Sequence, residues 1–304
     1  MSSHPKRPEW ATWFDPQTLR DLDGLRFGPW FRIGDATRVG DITARRGGRS
    51  TDFDQYRPYV QGDDPRRVDW KAYARSDKYY VRETEDQRAL QIQILIDDSD
   101  SMRFVDPGLD IEHSKWKEAA TIAATIGWAA IQGGHRVGMS PLYQSSGFGP
   151  PAAGESHLLN LAGMLSKLQT HGEGSLAKQI EDALGIQKPT PGILLIISDF
   201  LDEIASLERT VRYIAATGNQ FVLIHCLAPT ERDLAYSGTI DFVPIESGQR
   251  VRTDCESIRS EYRRAVQQFS DDLQSITTAN GGRLVQHTVG DPIAPTVGNL
   301  LNAD

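Results

Sequence analysis

QIQILIDDSDSM, residues Gln91 to Met102, decides how this chain is read. Gln and Ile alternate, give way to the apolar run Ile94-Leu95-Ile96, and stop abruptly at Asp97-Asp98-Ser99-Asp100-Ser101. β-Branched residues suit a pleated, covered surface, and a near-continuous apolar run is what a strand buried on both faces of a parallel sheet requires. Ligands of open α/β sheets bind outside the carboxyl ends of the strands, so carboxylates and hydroxyls delivered there form a candidate cation site. Asp97, Ser99 and Ser101 stand in the spacing Asp-x-Ser-x-Ser. Oxygen-only donors select a hard divalent ion over zinc: Mg²⁺ first, with Mn²⁺ or Ca²⁺ as alternatives.

A second apolar run, Gly192 to Ile197, ends in Ser198-Asp199-Phe200. If that strand lies beside the first, Asp199 reaches the same rim. The plainer alternative is that Asp97 and Asp199 cap helices or form turns, a common use of Asp after a strand.

Working outward, the chain has 304 residues, enough for one large α/β domain with an appendage, or for two domains. A net charge of −8 argues against general nucleic-acid binding. No apolar run approaches the roughly 20 residues that span a bilayer, and the opening MSSHPKRPEW lacks a hydrophobic signal core. A cytoplasmic protein without a membrane span is expected. Cys226 ends an apolar run and Cys255 opens a helical one, neither at metal-ligand spacing.

Downstream of the acidic loop, Ile111 to Gln132 carries Ala119, Ile122, Ala123, Ile126 and Ala130 at helical spacing and stops at Gly133-Gly134. Strands are expected at 135–142, 192–197, 221–226, 239–244, 250–253 and 283–287. Helices are expected at 158–168, 175–184, 205–216, 258–279 and 292–301. Strands alternating with helices indicate a doubly wound, mainly parallel sheet.

Upstream, Trp10, Trp13 and Phe14 sit at a spacing that suits a short docking helix. Residues 52–82 mix Phe53, Tyr56, Tyr59, Trp70 and Tyr73 with Arg57, Arg66, Arg67, Lys71 and Arg75 and with several Asp. This reads as a packed β-rich module with internal ion pairs, with a turn or two of helix at 68–74 and a strand at 79–81. The expected division is an N-terminal extension over 1–34, a small β-rich region over 35–90, and the α/β domain over 91–304.

With these residues in view, a resemblance emerges. Asp97-x-Ser99-x-Ser101 with a later strand-end Asp resembles the metal-ion-dependent adhesion site of von Willebrand factor A-like domains, a Rossmann-type α/β fold. Phe53-Asp54-x-x-Arg57-x-Tyr59-x-x-Gly62-Asp63-Asp64-x-Arg66-x-x-Asp69-Trp70-Lys71 ahead of it is similar to the signature of the bacterial family called domain of unknown function 58. The resemblance implies that Ser99 and Ser101 coordinate the ion directly, Asp97 and Asp199 often through water, and that an open position accepts an acidic residue of a protein partner. It also implies a MoxR-type AAA+ ATPase as partner and an adaptor or assembly role rather than catalysis. A-like domains supply a further Thr from a Gly-Thr-x-Leu turn; here the run is Glu173-Gly174-Ser175-Leu176, which leaves Ser175 as the expected ligand if the loop shifts by one residue.

Two other readings stay open on the residues alone. Asp98 and Asp100 have the spacing of a phosphohydrolase nucleophile and its acid or base, with Asp199 as metal ligand and Lys188 poorly placed to face a phosphate. The third is a scaffold whose metal site is empty.

Overall fold

The computed structural model describes residues 13–23, 31, 55–58, 80–83, 89–107, 109, 113–143, 149–168, 170, 174–186, 189, 191–243 and 250–301. The chain divides into two compact units, Asp35–Ala89, and Met1–Gly34 together with Leu90–Asp304. In the smaller unit, β1 (Gln55–Pro58) pairs antiparallel with β2 (Tyr80–Glu83). The rest of the Arg- and Trp-rich signature, including the expected helical turns at 68–74, lies outside the described residues, as do Lys188 and the turn at 246–249.

In the larger unit, β3 (Gln91–Ile96), β4 (Arg136–Pro141), β5 (Ile193–Ser198), β6 (Gln220–Leu227) and β9 (Arg283–Thr288) form one parallel sheet in the order β4-β3-β5-β6-β9. A separate antiparallel pair, β7 (Thr239–Phe242) and β8 (Val251–Asp254), precedes the long C-terminal helix. The apolar runs are buried as the sequence requires: β5 is covered along its whole length, because both sheet faces carry helices.

One face is covered by α2 (Lys115–Gln132), α3 (Glu155–Lys167) and α8 (Ile293–Leu301), packed on Ile92, Ile94, Ile96, Leu195 and Ile197. The other is covered by α4 (Leu176–Ile186), α5 (Ile204–Ala216) and α7 (Cys255–Ala279), packed on Leu95, Leu194, Ile196 and Leu223. The small residues Ala119, Ala120, Ala123 and Ala130 let α2 lie close to the sheet. A one-turn helix, α6 (Pro229–Asp233), follows β6.

The N-terminal segment enters the same core. Among the described residues the helix there is α1 (Pro16–Asp21), capped by Asp15; Trp10, part of the expected docking helix, lies outside them. Trp13 is buried, donates its indole N–H to Ser166 Oγ at 2.8 Å, and lies under the Lys117 ammonium at 4.5 Å. Leu22 and Phe31 join the cluster under α2 and α8.

Most boundaries differ from the sequence expectation by one to four residues, and local chemistry explains two of them. The helix expected from Ile111 begins at Lys115, because Ser114 Oγ accepts the Lys117 N–H at 3.2 Å and caps it. The next helix begins at Glu155, directly after Gly154, whose φ of 96° sets the turn.

Candidate functional site

The sheet order reverses at β3. Its sequence successor β4 lies on one side and β5 on the other, so the crevice outside the ends of β3 and β5 is the topological switch point. Ile96 pairs with Ile197, and the ladder continues one step as the Asp97 N–H donates to the Ile197 carbonyl at 2.9 Å. That register sets Asp97 beside Ser198 and brings the two strand-end acids to one rim.

Ser198 Oγ donates to Asp97 Oδ2 at 2.5 Å, and the Ser99 N–H donates to Asp97 Oδ1 at 2.9 Å. Ser99 Oγ and Ser101 Oγ lie 3.0 Å apart, and Ser101 Oγ donates to Asp199 Oδ2 at 2.7 Å. Four of the five expected ligands, Asp97, Ser99, Ser101 and Asp199, are therefore linked in one hydrogen-bonded group. The fifth, Ser175, donates instead to Asp202 Oδ2 at 2.6 Å and accepts the Lys178 N–H at 3.3 Å, at the start of α4. Burial alone would raise the Asp202 pKa, but bonds from Ser175 and from the Ala177 backbone outweigh it and hold it low.

The turn after β5 is shaped by Phe200, a buried residue with φ of +51°, a conformation uncommon for a bulky side chain. Its N–H donates to Ser198 Oγ at 2.9 Å, and the next N–H, of Leu201, donates to Asp199 Oδ1 at 3.1 Å. These bonds fix the Asp199 carboxylate against Ser101.

Three partners at this rim were not singled out in the sequence. Ser198 is the polar last residue of an apolar strand. Lys115, the first residue of α2, is 0% exposed, and its ammonium lies 2.7 Å from Asp199 Oδ2 and 2.7 Å from Glu231 Oε1. Glu231, on α6, also accepts the Ala228 N–H at 3.0 Å. The Phe104 ring centroid, 5.8 Å from Lys115 Nζ, flanks the ammonium. Asp106, below the acidic loop, ties it to α6 by accepting from the Thr230 hydroxyl. A signal for Lys115 did exist: a lysine at a helix N-terminus opposes the helix dipole and calls for acids nearby.

The electrostatics follow from burial. The Asp97 pKa is raised to about 7, first by desolvation and then by repulsion from Asp199, against the hydrogen bonds from Ser198 and Ser99. Desolvation by itself would lower the Lys115 pKa, yet Asp199 and Glu231 hold it above its usual value. Burial raises that of Glu231, and Lys115 opposes the rise. His225, on β6 behind the rim, has its pKa lowered to about 4 by burial; it stacks edge-on with Phe200 and Phe269.

These oxygens fit a hard divalent ion by their chemistry. Two carboxylates, Asp199 and Glu231, face the Lys115 ammonium, and Asp97 lies close enough to Asp199 to feel its charge. Among the described residues no three Asp, Glu, His or Cys side chains group as a metal site, so an ion would need the Ser99 and Ser101 hydroxyls as well. Asp98, the next residue, is 0% exposed, and its Oδ1 accepts the Tyr143 N–H at 2.7 Å.

Comparison with known proteins places the chain in a family. A family model described as "Protein of unknown function DUF58" matches residues 55–271. The chain belongs to that family. The uncharacterized protein Rv1480 of Mycobacterium tuberculosis is 28% identical to this DUF58 chain over 256 residues, covering 83% of this chain and 78% of its own length. Among solved structures, the conserved hypothetical protein BatB from Bacteroides thetaiotaomicron is similar with a TM-score of 0.43 and 16% identity, covering 70% of this chain and 97% of that one. The SpRpn10 VWA domain is similar with a TM-score of 0.39 and 12% identity, covering 69% and 94%. The fold itself is α/β, a five-stranded parallel sheet with helices on both faces. No helix among the described residues is long and apolar enough to cross a membrane.

Proposed function

We propose that this DUF58 protein is a metal-dependent protein-interaction module, an adaptor or assembly factor and not an enzyme, that works with a MoxR-type AAA+ ATPase. The observation that carries the reading is the bonded group Asp97, Ser99, Ser101 and Asp199 at the switch point of the sheet. Ser99 and Ser101 with Asp97 and Asp199 would hold Mg²⁺, whose chemistry when bound is to offer a coordination position to a partner's carboxylate. Mn²⁺ or Ca²⁺ would suit the same oxygens. The protein's own part is orientation. Ser198 and the Ser99 amide fix Asp97, while Ser101, Lys115 and the Leu201 amide fix Asp199.

The choice of ATPase partner rests on the family resemblance, and a cytoplasmic setting, where ATP is available, goes with it. Calorimetric titration of the full chain with Mg²⁺, beside Asp97→Ala and the Ser99→Ala/Ser101→Ala double variant, tests the site. Saturable binding that both variants lose, with ATPase association that strengthens in Mg²⁺, is the expected result. Absence of binding in all three proteins would overturn the metal bridge.

A further inference from the structure

We infer that Lys115 is a built-in cation that competes with the divalent ion for Asp199 and thereby sets how tightly the site binds it; this rests on the metal reading above. Lys115 is fully buried and held on three sides, by Asp199 Oδ2 at 2.7 Å, Glu231 Oε1 at 2.7 Å and the Phe104 ring. The Asp199 oxygen that it bonds is the one that also accepts the Ser101 hydroxyl. Ser99 and Ser101 would therefore hold an ion in the hydrogen-bonded group that already contains the Lys115 ammonium, and the ion would compete with that ammonium for the Asp199 carboxylate.

A buried lysine is retained only where acids compensate it, and its position at the first residue of α2 makes the requirement stronger, because the helix dipole there is positive. With no ion bound, the Lys115 ammonium and the Ser101 hydroxyl share Asp199 Oδ2, and Lys115 holds that carboxylate in place. With an ion bound, the same charge repels it. Lys115 thus stabilises the metal-free rim and weakens capture. Glu231 acts in the opposite sense: it shares the ammonium with Asp199 and draws it off that carboxylate.

The test measures Mg²⁺ affinity of the full-length protein by calorimetry, with the Mg²⁺-induced shift in melting temperature as a second readout. Lys115→Met, which keeps most of the side-chain volume and removes the charge, is expected to bind Mg²⁺ at least tenfold more tightly than wild type and to melt at a lower temperature in chelator. Glu231→Gln, which leaves Lys115 to Asp199 alone and removes a nearby negative charge, is expected to bind severalfold more weakly. If Lys115→Met does not fold, Lys115→Gln takes its place: tighter binding there supports the inference, and unchanged or weaker binding overturns it. Wild-type binding with Lys115→Met unchanged or weaker overturns the role of Lys115 and leaves the metal reading intact. No binding in wild type removes the metal reading and this inference with it.

Discussion

Asp97 and His225 impose opposite pH dependences on stability, and replacing one unmasks the other. In the metal-free folded protein the Asp97 carboxyl titrates at about 7, against roughly 3.9 in an unfolded chain. Between these values the folded state holds the proton that the unfolded state has lost, so stability falls as pH rises. At about 1.36 kcal/mol per pH unit, the loss between pH 5 and 8 is about 3 kcal/mol. His225, with a folded pKa of about 4 against roughly 6.5 unfolded, does the reverse. The unfolded state takes up a proton that the buried ring refuses, so stability is lost as pH falls below the unfolded value. Over the same window His225 adds about 2 kcal/mol toward pH 8.

The two effects nearly cancel, and the wild-type protein is expected to be almost flat in stability from pH 5 to 8. Asp97→Asn retains an acceptor for the Ser99 amide and removes the titration. Its stability should climb by about 2 kcal/mol across the window, on the scale set by His225. His225→Phe keeps the edge contacts with Phe200 and Phe269 and should expose the opposite branch, a fall of about 3 kcal/mol. Urea denaturation in chelated buffer at four pH values reads both slopes. Parallel profiles for wild type and Asp97→Asn would refute the reasoning, because Asp97 would then titrate alike folded and unfolded.

Three further outcomes follow from the packing. Ser198→Ala leaves the Phe200 amide and one Asp97 oxygen without their bonds, and should cost about 1–3 kcal/mol in a urea titration. Trp13→Ala removes a buried ring bonded to Ser166 and stacked under Lys117, and should lower stability by about 3–5 kcal/mol; a change under about 1 kcal/mol would mean that the N-terminal segment does not support the core. Cys226 and Cys255 are buried free thiols, and burial pushes the Cys226 pKa up, so both should resist an aromatic disulfide reagent until the protein is unfolded.

The sheet was legible because its signal is one of composition. Runs such as Ile193–Ser198 have no polar face to mistake, and only a strand covered on both sides uses them. Asp97, Ser99, Ser101 and Asp199 were legible for a related reason: each lies within a few residues of a strand end, and parallel register converts that placement into proximity. Ser175 shows where this logic stops. It lies in a loop before α4, and loop position is decided by whichever side-chain bond is nearest, here the Asp202 carboxylate.

Lys115 and Glu231 were illegible for a different reason. Lys115 opens a helix, Glu231 lies on a one-turn helix after β6, and 116 residues separate them. Taken singly, each has the composition of an ordinary surface residue. Only the closed fold brings α6 over the start of α2, with Asp106 and Thr230 holding the loop beneath them. Yet Lys115 violated a local rule before any tertiary contact was known, since a cation at the first position of a helix is unfavourable. An acidic rim loop followed by a helix that begins with lysine is itself an expectation of contact. The acids sit at the carboxyl ends of the strands, the helix starts from the same edge, and the misplaced charge is compensated most directly by turning inward to meet them.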